Sequence, residues 1–416
     1  MGMHDRVRGA ILGMIAALCL PRAVHAQGDD EEADAAAPGA TEPVTPEPPT
    51  KTAPAQGDDR TETVGVYVPP PVASMTPSIA PKQWTFEPYG YLRMQYRIVQ
   101  NDPNVQFIGR DDGFELQNAR FGVRATRRNV SLVLAAEGAV DERLQVNIPD
   151  GKLRFVLRDA FADVGLGGEL LVRAGYFLSW VDPDLDDDIR RAFVDRPIES
   201  RGVRPTQGFQ TRGLTPGRSL GAALRLNTPS TGSAGIGFEL AVQNGADEYA
   251  SDNDNDTPSA SASVLVRLPK GGALIASGRF NRRTEGALPQ QRDEDDLEAT
   301  AGGRFIGGPL VLAGGIALRR TSFPTTGGPV QNGFGAHGQV LFRIPGTTPI
   351  TFGYRFGILD VSSLILTDRV MEHTAGASLA IPHLHLRFQL QAVHVVEQAA
   401  RTLSNDRIQL AGEVVL

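Results

Sequence analysis

The sequence predicts an all-β protein: a transmembrane antiparallel β-barrel of about sixteen strands, with one long connection folded into its lumen. Three observations predict it. Apolar and polar residues alternate with period two, as in Leu384, Leu386, Phe388, Leu390 and Ala392 against His385, Arg387, Gln389, Gln391 and Val393. Period two marks a strand and 3.6 a helix, and helical patterning is almost absent. The links between segments alternate between tight turns and longer polar loops, and the even number of segments returns both chain ends to one side of a barrel.

Met1 to Ala26 has a short basic start (Arg6, Arg8), an apolar core from Ala10 to Leu20 and small residues before the expected cut after Val24-His25-Ala26. This is the pattern of a cleaved signal peptide over residues 1–26, because the apolar run is shorter than the ~20 residues of a spanning helix. Cys19, the single cysteine, lies inside it. Leu18 is larger than the residue that lipid attachment there would want, and the mature chain is expected to hold no thiol, which excludes cysteine catalysis and thiolate metal sites. Residues 27–83 are rich in Asp, Glu, Ala, Pro and Thr. A stretch with so few aromatics buries too little apolar surface to offset its ordering entropy, so a disordered acidic and proline-rich spacer is expected, or else a periplasmic contact arm.

The barrel domain spans 84–416. Its candidate strands are Phe86–Ile98, Phe114–Ala125, Val130–Val140, Leu153–Val164, Glu169–Leu178, Arg218–Asn227, Ala234–Asn244, Ser259–Leu268, Ala273–Arg283, Asp295–Ile306, Leu310–Thr321, Gly333–Arg343, Ile350–Asp360, Thr367–Ala380, Leu384–Glu397 and Ser404–Leu416. Tight links such as Thr126–Asn129, Leu166–Gly168, Pro269–Gly272 and Gly307–Pro309 alternate with longer ones such as Val99–Gly113, Gly245–Pro258 and Ser322–Asn332. A barrel of the outer membrane has that asymmetry. The last strand, ending at Leu416, is the expected signal for the barrel-assembly machinery.

One face of these strands is apolar, as in Leu220, Ala222, Leu224 and Leu226, or Ile236, Phe238, Leu240 and Val242. With no helices to cover it, outer-membrane lipid and lipopolysaccharide are the expected partners. Strict alternation turns Arg120, Arg124, Arg154, Arg158, Arg173, Arg225, Arg267, Arg279, Arg304, Arg319, Arg343, Arg355, Arg387 and Arg407 toward the lumen. Arginine is charged at every relevant pH, so such a wall favours small anionic solutes. Glu137, Asp159, Glu239 and Glu413 are available to pair with it. Ser179 to Gly217 is far longer than an ordinary link and mixes Asp182, Asp184, Asp186, Asp187 and Asp188 with Arg190, Arg191, Arg196, Arg201, Arg204 and Arg212. It is expected to enter the barrel as a constriction loop, the alternative being an external lid.

Six phrases then carry a resemblance: Phe114-Glu115-Leu116-Gln117-Asn118-Ala119-Arg120, Leu157-Arg158-Asp159-Ala160-Phe161-Ala162-Asp163, Arg173-Ala174-Gly175-Tyr176-Phe177, Phe193-Val194-Asp195-Arg196-Pro197, Pro216-Gly217-Arg218-Ser219-Leu220-Gly221 and Ala241-Val242-Gln243-Asn244-Gly245. In order and spacing they resemble the phosphate-selective porin O and P family, over roughly Phe86 to Val266. The resemblance implies a homotrimeric outer-membrane channel of sixteen strands with an inward loop and an arginine ladder. The chain differs from phosphate-specific members in lysine: only Lys51, Lys82, Lys152 and Lys270 occur among its 41 basic residues.

Residues 1–83 hold 6 basic and 11 acidic side chains, leaving 35 and 37 for the barrel domain, so no nucleic-acid footprint is expected. His337, His373, His383, His385 and His394 lack triad or metal spacing. Asp252 to Asp256 alternates carboxylates without the glycine and distal glutamate of a calcium loop. No enzyme activity, metal or cofactor is expected. The expectation is passive diffusion of small anionic, phosphate-like solutes, with a non-conducting barrel in a structural or interaction role as the alternative.

Overall fold

The computed structural model describes residues 83–416 except 107, 110–111, 139–154, 186–190, 205–206, 209–210, 228–233, 246–252, 286–289, 347–348 and 399–401. The expected signal peptide and nearly all of the acidic spacer lie outside the described residues. The sixteen strands are β1 (Thr85–Val99), β2 (Gly113–Arg127), β3 (Val130–Gly138), β4 (Phe155–Gly167), β5 (Leu170–Phe177), β6 (Ser219–Asn227), β7 (Gly235–Gln243) and β8 (Ser259–Arg267). They continue as β9 (Ala273–Glu285), β10 (Arg292–Gly307), β11 (Leu310–Ser322), β12 (Gln331–Ile344), β13 (Ile350–Asp360), β14 (Arg369–Ile381), β15 (Leu386–Gln398) and β16 (Arg407–Val415). Each pairs antiparallel with its sequence neighbours, and β1 closes on β16 from Tyr91↔Val415 to Val99↔Arg407. Closure leaves no open edge, the condition for a sheet to survive in lipid.

Strand β7 shows why these segments fold this way. Ile236, Phe238, Leu240 and Val242 point outward and are exposed, while Glu239, Ala241 and Gln243 point inward and are buried. Phe352, Tyr354, Phe388, Leu390, Ile408 and Leu410 continue the outward apolar belt on other strands. A large apolar side chain left in water forgoes roughly 1.5–3 kcal/mol, so a belt of this size requires lipid around it. No helix among the described residues is long and apolar enough to cross a membrane.

Two β-bulges correct the strict alternation assumed from sequence. In β2 the register skips Gln117, and in β4 it skips Arg158. Each extra residue reverses the facing of the residues after it. Phe114 and Phe121 therefore both face outward, and Arg158 and Asp159 both face the lumen. Some strand ends also differ. The β9–β10 hairpin extends to Glu285 and Arg292, because Arg282 and Asp295 pair across it at 2.6 Å. Strand β16 begins at Arg407 and not at Ser404, since Ser404 N instead donates to Asp102 at 3.0 Å. Leu384 belongs to the tight turn Pro382–Leu384 before β15.

Candidate pore constriction

The described residues between Leu178 and Arg218, which link β5 to β6, pack against inward side chains of the barrel. The start of this loop is fixed by Trp180, which packs on Leu265, Ala273 and Ile275, inward apolar residues of β8 and β9. The Trp180 backbone N–H donates to Glu239 at 2.5 Å. Behind it Phe161, Arg173, Phe177, Arg225 and Trp180 form a column in which guanidinium groups lie 3.6 to 5.7 Å from ring centres.

The chain then crosses the inner wall of β10 to β14 along a row of glycines. A Cβ on Gly302 would lie 2.1 Å from the Pro183 carbonyl oxygen, and one on Gly335 would lie 2.4 Å from the Glu199 Cβ. Gly315 and Gly353 are similarly close to Pro183 and Phe193. Larger residues here would push the loop off the wall.

Further along, Phe193 packs with Val311 and Leu341. The single helical turn α1 (Ile198–Arg201) follows Pro197 and ends at Gly202, whose φ of 75° suits glycine. Ile198, Val203 and Leu214 join Ala317, Leu359, Val370, Val393 and Val395 in the largest apolar cluster of the interior. A Val203↔Thr211 bridge folds the return segment back on itself.

Charge completes the anchoring. Asp195 accepts from Arg407 at 3.0 Å and from Gln409 at 3.1 Å, while Arg355 donates to its backbone carbonyl at 2.9 Å. Glu372 on β14 accepts from Arg407 at 3.0 Å and from Arg201 of the loop. Arg387 and Gln389 donate to the Arg191 carbonyl at 2.8 and 2.9 Å, and the Val194 N–H donates to Gln391 at 2.8 Å. Glu199 hydrogen-bonds His337. Arg204 reaches Glu115 on β2 at 3.1 Å, so the loop touches both flanks of the barrel seam.

Of the residues expected in the constriction, Arg191, Arg196, Arg201, Arg204 and Asp184 lie in this loop, while Arg190 and Asp187 fall outside the described residues, as does Arg154 on the wall. The other wall arginines face inward, and most meet carboxylates. Arg120 and Arg158 share Glu137, Arg173 forms a two-pronged pair with Asp163 at 2.7 Å, and Arg225 pairs with Glu239. Arg279 pairs with Glu298 at 3.1 Å and Arg387 with Glu413 at 2.6 Å. Arg267 bonds Asn227, and Arg124 has the inward parity of Arg120, opposite Glu87 at the short-turn rim.

Among the described residues, fourteen arginines and twelve carboxylates are buried, strands and loops together, so the buried charge is close to balanced, with an excess of two arginines. Charged loop groups that keep some exposure are Asp182, Asp184, Arg196 and, most exposed of them, Arg212, which lies 3.9 Å from Glu285, and Glu115 and Asp159 do so on the strands.

Sequence reasoning missed Glu372, Gln95, Gln391 and Gln409, whose inward parity on β14, β1, β15 and β16 was the available signal. It also missed the inward apolar residues that receive the loop. No group of three or more His, Cys, Asp or Glu among the described residues is placed to hold a metal.

No family model matches the chain, and no curated protein matches it. Solved structures do match in fold. The anion-selective porin from Comamonas acidovorans superposes with a TM-score of 0.52 at 15% identity, covering 80% of this chain and 100% of that one. The trimer form of OmpT, an outer membrane protein of Vibrio cholerae, gives 0.53 at 13% identity over 80% and 99%. The outer membrane channel DcaP of Acinetobacter baumannii gives 0.51 at 12% identity over 81% and 100%.

Proposed function

We propose that the protein is a porin of the bacterial outer membrane, through which small solutes, anionic ones by preference, diffuse passively. The observation that carries this is that described residues of the loop bond to inward side chains of a closed sixteen-stranded barrel, which supports a loop that narrows the lumen over one that caps it. A resident obstruction held by charge pairs and apolar packing sets a size limit, and the charges left exposed along it, Asp182, Asp184, Arg196 and Arg212, meet the solute. The arginine excess inclines the channel toward anions, modestly, because most guanidinium groups already face a carboxylate. Phosphate-like solutes enter the reading through the six resembling phrases. The same reading takes residues 1–26 as the signal peptide, 27–83 as a spacer, lipopolysaccharide and the barrel-assembly machinery as partners, and three copies as the assembly.

A second reading has one specific support. Interior side chains such as Arg93, Gln409 and Glu413 are almost fully buried, as in a barrel that conducts nothing and serves a structural or interaction role. Currents across a planar bilayer in a gradient of potassium chloride, then of phosphate and of larger organic anions, separate the two. The porin reading expects a reversal potential of anion-selective sign and a current that falls as the anion grows. A cation-selective sign would remove the arginine argument, and a barrel inserted without current would favour the second reading.

A further inference from the structure

The outward face of β13 to β16 breaks its apolar pattern at one level. The Tyr354 hydroxyl lies 2.7 Å from His373 Nδ1, the His373 and His394 rings stand 6.1 Å apart, and His394 Nδ1 lies 2.9 Å from the Asp406 carboxylate. Register puts His373 and His394 in one row with Phe356, and Tyr354, one level below and opposite Ala375, reaches up to it. Asp406 directly precedes the Val393↔Arg407 pair and also accepts from the Val395 N–H at 2.9 Å. The row sits near the long-loop rim, four residues inside the start of β14 and the end of β15. It is open: the His394 side chain is 62% and that of Asp406 46% exposed.

Below the row, toward the short-turn side, the outward positions of β14 are Ala375 and Ala377. Tyr354 and Phe352 stand opposite them on β13, and Ala392 and Leu390 on β15. Ala375 and Ala392 open a gap beside Tyr354, and at Ala377, between Phe352 and Leu390, it narrows to a channel one strand wide that runs down from the histidines. An acyl chain is one strand wide.

We propose that this row and the alanine floor beneath it bind one phosphate-bearing lipid, its headgroup on His373, His394 and Tyr354 and an acyl chain along Ala375 and Ala377. The proposal rests on the membrane reading given above. The hydrogen bond between the Tyr354 hydroxyl and His373 Nδ1 leaves the Nε2 edge of that ring to meet a phosphate oxygen. The Asp406 carboxylate and the Val395 N–H fix the His394 ring with its Nε2 edge outward. The row lies one level inside the end of the apolar belt, which Ile358, Met371 and Val396 continue toward the rim, near the depth at which headgroups meet side chains with polar tips.

Native mass spectrometry of the full chain, released from detergent with dioleoyl phosphatidic acid, tests this. One retained lipid per barrel is expected, with retention at least about tenfold weaker in the His373→Ala/His394→Ala double variant and in Ala377→Phe. Tyr354→Phe, which removes only a hydroxyl, should weaken it less. Dioleoylglycerol, with the same chains and no phosphate, should show no saturable retention, and inorganic phosphate should not displace the lipid. Equal retention by wild type and variants, or indifference to the phosphate, overturns the proposal. So does a change in the number of chains per particle with lipid retention unaltered, which would assign the face to a second copy. Conductance of the same preparations keeps the two readings apart: channel activity without saturable lipid defeats this site alone, and saturable lipid without channel activity defeats the porin reading alone.

Discussion

At the scale of single residues, the loop is held by buried charge pairs whose value lies in their being complete. Glu372→Gln leaves Arg201 and Arg407 short of a buried carboxylate, and breaking a pair of this kind costs about 3–5 kcal/mol. The unfolding midpoint in urea, followed on the purified barrel, should fall accordingly, whereas Asp360→Asn, at the exposed Arg369–Asp360 pair, should cost no more than about 1 kcal/mol. Equal effects would mean that the interior is as wet as the rim. Outside the spanning strands, burial and the neighbouring Asp360 carboxylate push Asp368 up to about 6. Its unfolded value is about 3.9, so the folded chain holds that proton more tightly. The resulting stability is fully present below about pH 4 and is lost as the pH rises through about 6. Asp368→Asn should therefore raise the thermal midpoint at pH 7 and leave it unchanged at pH 4; a shift of equal size at both values would refute the assignment. Arginine facing was legible in sequence because alternation survives in most strands. The partners were less so, since pairing Arg201 with Glu372 requires two segments 171 residues apart to meet.

At the scale of elements, all sixteen strands were legible because each one repeats the same two-residue code with turn residues at its ends. The bulges at Gln117 and Arg158 were not, because a bulge is set by the register of the neighbouring strand and leaves no local signature. The path of the loop was half legible. Its length and mixed charge pointed inward, but its apolar anchors Trp180, Phe193 and Ile198 meet partners such as Leu265, Leu341 and Leu359 at positions expected to be polar. The glycines of β10 to β13 read as ordinary strand glycines until the loop is seen against them. Gly335→Leu should displace α1 and change the single-channel conductance by a measurable fraction while the barrel still folds. Gly338→Ala on the same strand, where a Cβ meets nothing within 4 Å, should leave it as it was. If both variants conduct like wild type, the loop does not narrow the path.

At the scale of the whole molecule, the sheet is closed, with an apolar exterior and a charged, partly apolar interior, and the porin reading makes it a wall around a route whose width the loop sets. The barrel was legible from rhythm alone. The near balance of interior charge was not, because sequence gives the arginines of a wall without their neighbours, and Glu137, Asp163, Glu239 and Glu413 take up much of the charge that the arginines bring. Selectivity should accordingly be weak in strong salt, where screening shortens the reach of the remaining excess to a few ångströms, and more marked in dilute salt. The most direct test of the central claim is the single-channel record of the purified full chain beside a variant in which residues 181–216 are replaced by a short glycine-serine link. Discrete steps are expected from the wild type and steps several-fold larger from the variant. Wild-type and variant steps of the same size, or a wild-type barrel that inserts and stays silent, would contradict that claim.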